Sequence, residues 1–393
     1  MFSTEYGYEE PRMKIPPIEE KSKFRKLAEG YLMNELRSHP ELNWQAISLD
    51  WSRKSKSWCI SIFVRDDPSV CPTFTDPEGH FTIECVKGKF AFLRGICQSP
   101  LYAQAPLPGA PVGCQTKPNS SASLGGYIRG CSSGNSYAVT VGHLFFEQSQ
   151  KITDKEEIRP ISETATSPAE VRIRNLKEGY LQVSEDPARS DDHERSHRFI
   201  KECDLLLEDP VKTRFGMCTA ARWDIVNVNR RAGYKSVRDA AFIRPVDTRI
   251  GGKNMIERFN DRDTSSIRGS CTSQDDVPVS VHVSMAKYSQ GTIAGETLVR
   301  VKQFGEEKVF WMRSIKHVSG FGTHKGDSGA WVVDDKNMWV GMVIAGVCKD
   351  DGQHNDEDDD AEFTRSLFVD SEDVLTWARE MLGEEFEVLV GYS

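Results

Sequence analysis

The part of the chain best suited to chemistry is the sequence Gly-Asp-Ser-Gly at residues 326–329, which precedes the apolar residues 330–333. It is typical of a serine nucleophile in a tight turn before a buried strand. A serine hydroxyl attacks a carbonyl carbon when a base removes its proton and backbone N–H groups bind the developing oxyanion. The flanking glycines let such groups approach closely, so Gly326 and Ser328 are the predicted oxyanion donors. The same residue types also form ordinary surface turns, so other residues must decide between the two interpretations.

A candidate general base lies upstream, where a predicted strand at residues 136–141 leads to Gly142 and His143. Histidine both accepts and returns a proton near neutral pH because its unperturbed pKa is about 6.5. A single histidine at the end of a strand is more often structural. Together with Ser328, however, His143 is predicted to act as the base of a serine nucleophile.

The third member of such a site is a buried carboxylate, which accepts the Nδ1–H of the histidine and fixes its tautomer. Two candidates, Asp204 and Asp239, lie between His143 and Ser328. The apolar residues around Asp204 follow the spacing of an amphipathic helix, whose surface is a poor setting for this carboxylate. Asp239 begins an apolar segment typical of a loop entering a buried strand. Asp239 is therefore favoured, and Asp204 remains the alternative.

These motifs resemble those of the chymotrypsin-like (trypsin-like) serine peptidases. That family has Thr-Ala-x-His before its base and Gly-Asp-Ser-Gly around its nucleophile. Residues 140–143 here read Thr-Val-Gly-His, a partial match, whereas residues 326–329 match completely. Within the family, the segments 124–127 and 341–346 resemble most the intracellular trypsin-like peptidase domains of filamentous fungi. The resemblance covers residues 108–393 and implies a mainly β fold, with two antiparallel β-barrels and a C-terminal helix.

The resemblance also implies a pocket for the side chain that precedes the cut. The family's geometry places Gly322, six positions before the serine, at the base of this pocket. Thr323, Val343 and Ile344 then form its wall, and Gly346 leaves its entrance open. A buried Lys or Arg side chain would need a carboxylate at the base, and Gly322 supplies none. We therefore expect neutral, largely apolar side chains to be accepted.

Residues 193–197, His-Glu-Arg-Ser-His, fit the letters of a zinc-peptidase motif. On a helix, His193 and His197 would share one face, with the glutamate as general base. Arg195 places a positive charge between these ligands, however, and no spacing marks a third ligand. A solvated charged segment is the favoured interpretation, so we expect neither a metal ion nor another cofactor.

The composition restricts the class of protein. The chain has 393 residues, 38% of them hydrophobic, and a formal net charge of −9. This predicts two or three domains with substantial cores, and the negative charge argues against a nucleic-acid partner. No apolar segment is long enough to span a membrane, and residues 1–14 are too polar for a secretory signal, so we expect a cytoplasmic protein. Its ten cysteines are then expected to be reduced, and the acidic residues 356–360 to form a solvated loop.

The domain prediction has four parts. A polar, proline-containing sequence indicates a disordered arm, a mixed helix and strand pattern indicates a small α+β domain of unknown role, and a group of prolines indicates a stiff connector. In the α+β domain, residues 81–93 predict a hairpin about Lys87 and Gly88. The bounds are 1–17 for the arm, 18–104 for the α+β domain, 105–112 for the connector and 113–393 for the peptidase domain, with a long insertion around 150–235.

The predicted function is therefore that of a serine endopeptidase, which cuts polypeptide substrates through an acyl-enzyme on Ser328 with His143 and Asp239 as its partners. The alternative is a catalytically inactive peptidase fold that acts in binding or regulation. The partial histidine motif keeps this alternative open. So does the absence of the Ile-Val-Gly-Gly start whose amine pairs, in secreted relatives, with the aspartate before the serine, since Asp327 then needs another partner or none. In either case the N-terminal domain could bind a protein partner.

Overall fold

The structure is a computed structural model that describes residues 16–52, 55–92, 106–146, 163–167, 169–185, 193–227, 235–246, 254–257, 264–284, 287–303, 306–318, 322–349 and 363–390. The predicted acidic loop at 356–360 and nearly all of the predicted arm lie outside the described residues. Parts of the predicted insertion, 150–162, 186–192 and 228–234, also lie outside them.

The described chain is mainly β, as the alternating apolar pattern predicts. Its strands are β1 Trp44–Ser52, β2 Ser57–Val64, β3 Thr82–Phe92, β4 Pro111–Cys114, β5 Lys117–Ser123, β6 Gly126–Gly130, β7 Ser136–Thr140, β8 Glu163–Thr166, β9 Arg214–Asn227, β10 Lys235–Pro245, β11 Met255–Glu257, β12 Thr264–Ser266, β13 Gly269–Ser270, β14 Pro278–Ser284, β15 Lys287–Gln303, β16 Glu306–His317, β17 Trp331–Asp334, β18 Met338–Lys349, β19 Arg365–Asp370 and β20 Phe386–Val388.

Helices lie at the two ends of the described chain and in the predicted insertion. They are α1 Ile18–Leu27, α2 Met33–Ser38, α3 Glu170–Glu185, α4 His193–Glu208, α5 Pro210–Thr213 and α6 Ser371–Leu382, with a π-helical turn Ala28–Leu32 between α1 and α2. The predicted helix around Asp204 is thus confirmed as α4, and the predicted C-terminal helix as α6.

The larger sheet contains a closed ring of strand pairings. Its strands follow one another in the order β18, β17, β14, β15, β16 and β19, and β19 pairs again with β18. Buried apolar side chains from several of these strands pack together in one cluster, among them Val281, Ile293, Ile315, Val332 and Phe368. This ring carries the turn at residues 326–329, which directly precedes β17.

The smaller sheet has the strand order β20, β6, β7, β10, β9, β8, β4 and β5. Its third and fourth strands, β7 and β10, bring the other candidate catalytic residues together, since Ala241 in β10 is paired with Thr140 in β7. Among the described residues, the end strands β20 and β5 do not pair with each other. The closure of two barrels therefore stays a prediction.

The N-terminal strands extend the larger sheet rather than forming a separate one. β1 pairs antiparallel with β15, β2 pairs parallel with β3, and β3 pairs antiparallel with β18. The predicted hairpin at 81–93 is wrong, because β3 passes through Lys87 and Gly88 without a turn. A Cβ atom at Gly88 would lie 2.7 Å from the carbonyl oxygen of Cys348 in β18. The glycine thus allows two backbones to approach, and it does not form a turn.

The N-terminal helices pack against the same sheet. Phe24 and Leu32 share a buried apolar cluster with Leu298 in β15 and Trp311 in β16. The indole Nε1–H of Trp311 also donates to Glu29 at 2.8 Å. The side chains of residues 24–36 therefore bury their apolar face on the strands of the ring, and residues 18–92 share their core with the C-terminal half of the chain.

A buried ion pair joins β1 to β19. The guanidinium of Arg365 donates to Asp50 at 2.5 Å, and Lys316 lies 3.6 Å from the same carboxylate. Burial opposes the charged carboxylate, but these two cations outweigh it and lower the pKa of Asp50 to about 2. Removing either partner of such a pair would leave a buried charge without compensation.

None of the cysteines among the described residues forms a disulfide. Burial raises the pKa of Cys218 far above its usual value, which keeps this thiol protonated and inert. None of the described helices is long and apolar enough to cross a membrane.

Candidate active site

His143 stands where β7 leaves the smaller sheet. A single 3-10 turn, Gly142–Leu144, follows the strand and directs the imidazole towards β10. A Cβ atom at Gly142 would lie 2.0 Å from the carbonyl oxygen of Arg222 in β9. The glycine is therefore required at this point of the partial histidine motif, because the turn lies directly on a neighbouring backbone.

Asp239 holds His143 with both of its carboxylate oxygens. The backbone N–H of His143 donates to Oδ1 at 2.8 Å, and Nδ1 lies 2.6 Å from Oδ2. Both residues are almost completely buried. Because a carboxylate only accepts hydrogen bonds, Nδ1 donates its proton to Oδ2, and the lone pair of Nε2 faces Ser328.

Ser328 completes the constellation. Its Oγ lies 3.3 Å from Nε2 of His143, slightly longer than a good hydrogen bond. The serine itself is fully buried. The structure thus brings together the three residues that the sequence selected, His143, Asp239 and Ser328, although they come from two different sheets.

The turn before Ser328 presents backbone N–H groups. Gly326 has φ of +92°, a backbone conformation that favours glycine. Among the described residues, the N–H groups of Gly326 and Ser328 have no backbone acceptor. Two such donors beside a nucleophile are what an oxyanion requires. The two N–H groups that the sequence singled out therefore lie beside Ser328 Oγ without a backbone acceptor among the described residues, and their role as oxyanion donors stays a prediction.

Asp327 is bound within its own turn. Its Oδ2 accepts the backbone N–H of His324 at 2.7 Å, and its backbone N–H donates to the carbonyl of His324 at 3.2 Å. The backbone N–H of Ala330 then donates to the carbonyl of Asp327 at 3.1 Å. These bonds brace the turn from inside, so the aspartate has partners without the terminal amine that secreted peptidases use.

Ser123, which the sequence did not indicate, links the smaller sheet to the nucleophile turn, residues 326–329. Its backbone N–H donates to the carbonyl of Ser328 at 2.7 Å, and its hydroxyl donates to the carbonyl of Gly326 at 3.1 Å. Thr140 in turn donates its hydroxyl to the carbonyl of Ser123 at 2.8 Å. A Cβ atom at Gly329 would lie 2.1 Å from that carbonyl, so only glycine fits there. A serine at the end of a strand carries no local signal for such a role.

A buried ion pair fixes the strand that carries Asp239. Arg238 binds Asp224 in β9 with two hydrogen bonds, at 2.8 and 2.7 Å, and reaches Glu380 of α6 at 2.9 Å. A bidentate arginine and carboxylate pair constrains orientation as well as distance. This pair therefore positions β10, and with it Asp239, against the C-terminal helix.

The residues predicted to form the pocket do not all face one space. Val343 packs in the cluster of the ring, whereas Ile344 packs in the cluster that includes the smaller sheet. Because the two side chains pack in different clusters, they do not line one wall. Val343 instead contributes its backbone, because its carbonyl accepts the N–H of Gly329 at 2.8 Å.

Thr323 begins a chain of buried hydrogen bonds. Its hydroxyl lies 2.6 Å from Oγ of Ser366, which lies 2.5 Å from Nε2 of His317. Burial lowers the pKa of His317 to about 4, so its imidazole is neutral near neutral pH. Its Nδ1 lies 3.1 Å from the carbonyl of Gln290, which only accepts. Nδ1 therefore carries the proton, Ser366 donates to Nε2, and Thr323 donates to Ser366.

Phe363 occupies the space in front of Gly346. A Cβ atom at Gly346 would lie 2.6 Å from the ring of Phe363, which is fully buried. Gly346 is paired with Ser366 across β18 and β19, and the N–H of Phe363 donates to the carbonyl of Thr323 at 2.7 Å. Directly opposite residues point to the same face, so Phe363 lies on the side of Ser366 and Thr323. The expectation of an open entrance at Gly346 is therefore wrong.

The competing candidates lie elsewhere. Asp204 is on the partly exposed face of α4, where it pairs with Lys177 at 2.5 Å. His193 and His197 lie at the start of the same helix. The described residues contain no group of three or more His, Cys, Asp or Glu that could hold a metal ion.

No family model matches the chain, and no curated protein matches it. Solved structures that are similar to it include bacterial serine proteases. Thermobifida fusca protease A is 13% identical, covers 73% of this chain and 100% of its own, and has a TM-score of 0.39. Nocardiopsis protease is 13% identical, with coverages of 69% and 95% and a TM-score of 0.37. Cellulomonas bogoriensis chymotrypsin is 12% identical, with coverages of 73% and 98% and a TM-score of 0.35.

The solved structures named here are bacterial proteins, so the resemblance to fungal peptidase domains stays a prediction.

Proposed function

We propose that the chain is a serine endopeptidase with Ser328 as nucleophile. The observation that carries the proposal is the continuous path from Asp239 through His143 to Ser328, with distances of 2.6 Å and 3.3 Å. The path ends at two backbone N–H groups with no backbone acceptor among the described residues. Nucleophile, base, orienting carboxylate and oxyanion donors are the parts that acyl transfer requires.

In the proposed reaction, Nε2 of His143 takes the proton of the Ser328 hydroxyl while Oγ attacks the carbonyl carbon of the peptide bond. The N–H groups of Gly326 and Ser328 bind the oxyanion, and Asp239 stabilises the imidazolium. His143 then gives its proton to the leaving amine, and the C–N bond breaks. Water, activated by the same imidazole, attacks the ester carbon next. The acid product leaves and Ser328 regains its proton.

The proposed substrate side chain is neutral and small. Gly322, Thr323 and Ser366 supply no carboxylate for a Lys or Arg side chain, which would cost several kcal/mol to bury without a partner. Phe363 fills the space that a large apolar side chain would need. Thr323, whose proton is directed to Ser366, offers a lone pair to a substrate that donates a hydrogen bond.

A fluorophosphonate probe tests this proposal, because it phosphonylates a serine only when a base activates it. Labelling of the wild-type chain that disappears in Ser328→Ala supports the proposal. Ser133→Ala, at an exposed serine, is the matched control and should keep the label. Labelling that persists in Ser328→Ala would refute the role of Ser328. Loss of peptide cleavage on addition of a zinc chelator would instead favour His193 and His197.

A further inference from the structure

The nucleophile turn lies against one edge of β18. Gly329 and Ala330 exchange hydrogen bonds with Val343, and β17 continues from there along residues 339–342 of β18. β19 pairs with residues 341–347 of β18. A strand has two edges, so β17 and the nucleophile turn lie on one edge and β19 on the other.

β3 lies on the same edge of β18 as the nucleophile turn. It pairs antiparallel with residues 345–349, and three of these residues are paired with β19 at the same time. β3 must therefore be on the side opposite β19. Along this single edge, β17 is followed by the turn that carries Ser328, and that turn is followed by β3.

The C-terminal end of β3 points at the nucleophile. Phe92 is paired with Ala345, two residues along β18 from Val343, whereas Gly88 is paired with the more distant Lys349. At about 3.4 Å per residue, the backbone of Phe92 lies about 7 Å along the sheet from the pairing partner of Gly329. β3 thus approaches Ser328 in an extended conformation, with its carbonyl end leading.

A peptide that is to be cut needs this edge. Extended peptides bind to proteins by adding a strand to an exposed sheet edge, where backbone hydrogen bonds fix their register. The edge of β18 beyond Val343 is the one that would align the acyl side of a peptide with Ser328. In this structure β3 already forms those hydrogen bonds, and the relative exposures of Ser328 and His143 are only 0% and 3%.

We propose that β3 is a built-in occupant of the strand position that the substrate's acyl side takes, and that a peptide binds by displacing β3 from β18. This inference rests on the proposed function, because it assigns a role to β3 at the same site. The occupant is residues 88–92, the part of β3 that pairs with β18. The molecule that displaces it is an extended polypeptide, whose backbone forms the same antiparallel hydrogen bonds with β18.

β3 has a second set of partners that would retain it after displacement. Residues 82–87 pair in parallel with β2, while the pairing with β18 begins only at Gly88. The two halves of the strand are therefore held by different neighbours. Detachment of residues 88–92 leaves the pairing with β2 in place, so the exchange does not require the N-terminal part to unfold.

A reversible cross-link tests whether detachment is needed. Lys89 is paired with Cys348, whose buried thiol forms no disulfide. Directly opposite residues have Cβ atoms close enough for a disulfide, so Lys89→Cys should form one on mild oxidation. We expect the oxidised variant to lose hydrolysis of a fluorogenic octapeptide by about tenfold or more, because the fraction of competent chains falls, and to regain it with a reductant.

The wild type and Lys89→Ser receive the same oxidant and reductant as controls, and neither should change. Equal peptide hydrolysis in the oxidised and reduced forms of Lys89→Cys would overturn the inference, because β3 would then be a permanent part of the sheet. Failure of the cross-link to form would contradict the pairing on which the inference stands.

Weakening β3 should have the opposite effect. Gly88→Ala places a methyl group 2.7 Å from the carbonyl oxygen of Cys348 and 2.6 Å from the ring of Phe63. It should raise kcat/KM for the octapeptide, mainly through a lower KM. Gly30→Ala is the matched control, since a Cβ atom at Gly30 meets nothing within 4 Å. Equal effects of the two substitutions would count against the inference.

Fluorophosphonate labelling separates this inference from the proposed function. A label on Ser328 in reduced Lys89→Cys or in Gly88→Ala, without any effect of the cross-link on peptide hydrolysis, would refute the role of β3 alone. Absence of the label from wild type, reduced Lys89→Cys and Gly88→Ala alike would refute the endopeptidase itself and leave the binding module.

Discussion

Asp239 binds His143 at two points, through the backbone N–H at 2.8 Å and through Nδ1 at 2.6 Å. The second bond fixes which nitrogen carries the proton, and the first fixes where the backbone stands. The orientation of the imidazole is therefore fixed both by the hydrogen bond to its ring and by the position of the backbone that carries it. A substitution that keeps the shape of Asp239 but changes its hydrogen bonding isolates the contribution of the bond to Nδ1.

Asp239→Asn should lower kcat by up to about 10⁴, because the amide stabilises the wrong imidazole tautomer. Asp204→Asn is the matched control. It removes a partly exposed partner of Lys177 and should leave kcat within about twofold, since such pairs contribute little. Steady-state kinetics with one peptide substrate measures both. A larger loss for Asp204→Asn would return the orienting role to α4.

Ser123→Ala should slow the chemical step, because the carbonyl of Gly326 loses the hydroxyl that holds it. We expect kcat to fall by about tenfold with KM little changed, a loss of about 1.4 kcal/mol of transition-state stabilisation. Thr219→Ala removes a comparable bond, at 2.9 Å to the carbonyl of Phe242, and should leave kcat unaltered. An unchanged kcat for Ser123→Ala would mean that the turn holds its shape without this hydroxyl.

Phe363→Ala should open the space in front of Gly346. A peptide-library digest with the wild type should show cuts after small neutral side chains, and the variant should add cuts after Leu, Met or Phe. The variant should also lose about 3–5 kcal/mol of stability, because a buried aromatic side chain is removed. Identical cleavage profiles would place the pocket elsewhere. Dominant cleavage after Lys or Arg in either protein would contradict the neutral pocket.

Acid should destabilise the fold through two buried histidines. Burial lowers the pKa of His282 and of His317 to about 4, below the value of 6.5 in the unfolded chain. Between these values the unfolded chain binds more protons, so stability is full above about pH 6.5 and falls as the pH drops towards 4. Each histidine accounts for about 3 kcal/mol over this window.

Urea unfolding across this pH range measures the effect. His282→Gln should flatten the slope, because glutamine does not titrate and can still bond the hydroxyl of Ser280, which lies 2.9 Å from Nε2. The ion pair of Asp50 affects stability in a separate, more acidic pH range. With its pKa at about 2, its contribution is lost only as the pH falls from about 3.8 towards 2. An unaltered slope in His282→Gln would remove this histidine as a cause.

Local patterns predicted the local elements well. The apolar spacing around Asp204 predicted the helix that is observed as α4. The same reasoning placed Asp204 on a helix, as observed, but it placed Asp239 where a loop enters a strand. Asp239 instead lies inside β10, which already begins at Lys235. The side-chain types at residues 326–329 also identified the turn, because the glycines there are needed for its backbone.

Pairing between distant segments could not be predicted in this way. Gly88 has the appearance of a turn residue, but it lies in the middle of a strand, because its function depends on Cys348, far along the chain. Ser123 and Phe363 likewise act through contacts with residues remote in sequence. Periodicity records which face of an element is buried, and it holds no information on which strand lies beside it.

The bond from Ser123 to the carbonyl of Ser328 has a consequence for how the protein loses activity. Ser328 belongs to one sheet and His143 to the other, and this bond is part of the contact between them. A separation of the two sheets by an ångström or two would leave every strand intact yet disconnect Ser328 from His143. Mild denaturant or heat should therefore inactivate the molecule before its circular dichroism changes. The reactivity of Ser328 thus reports how closely the two sheets are packed against each other.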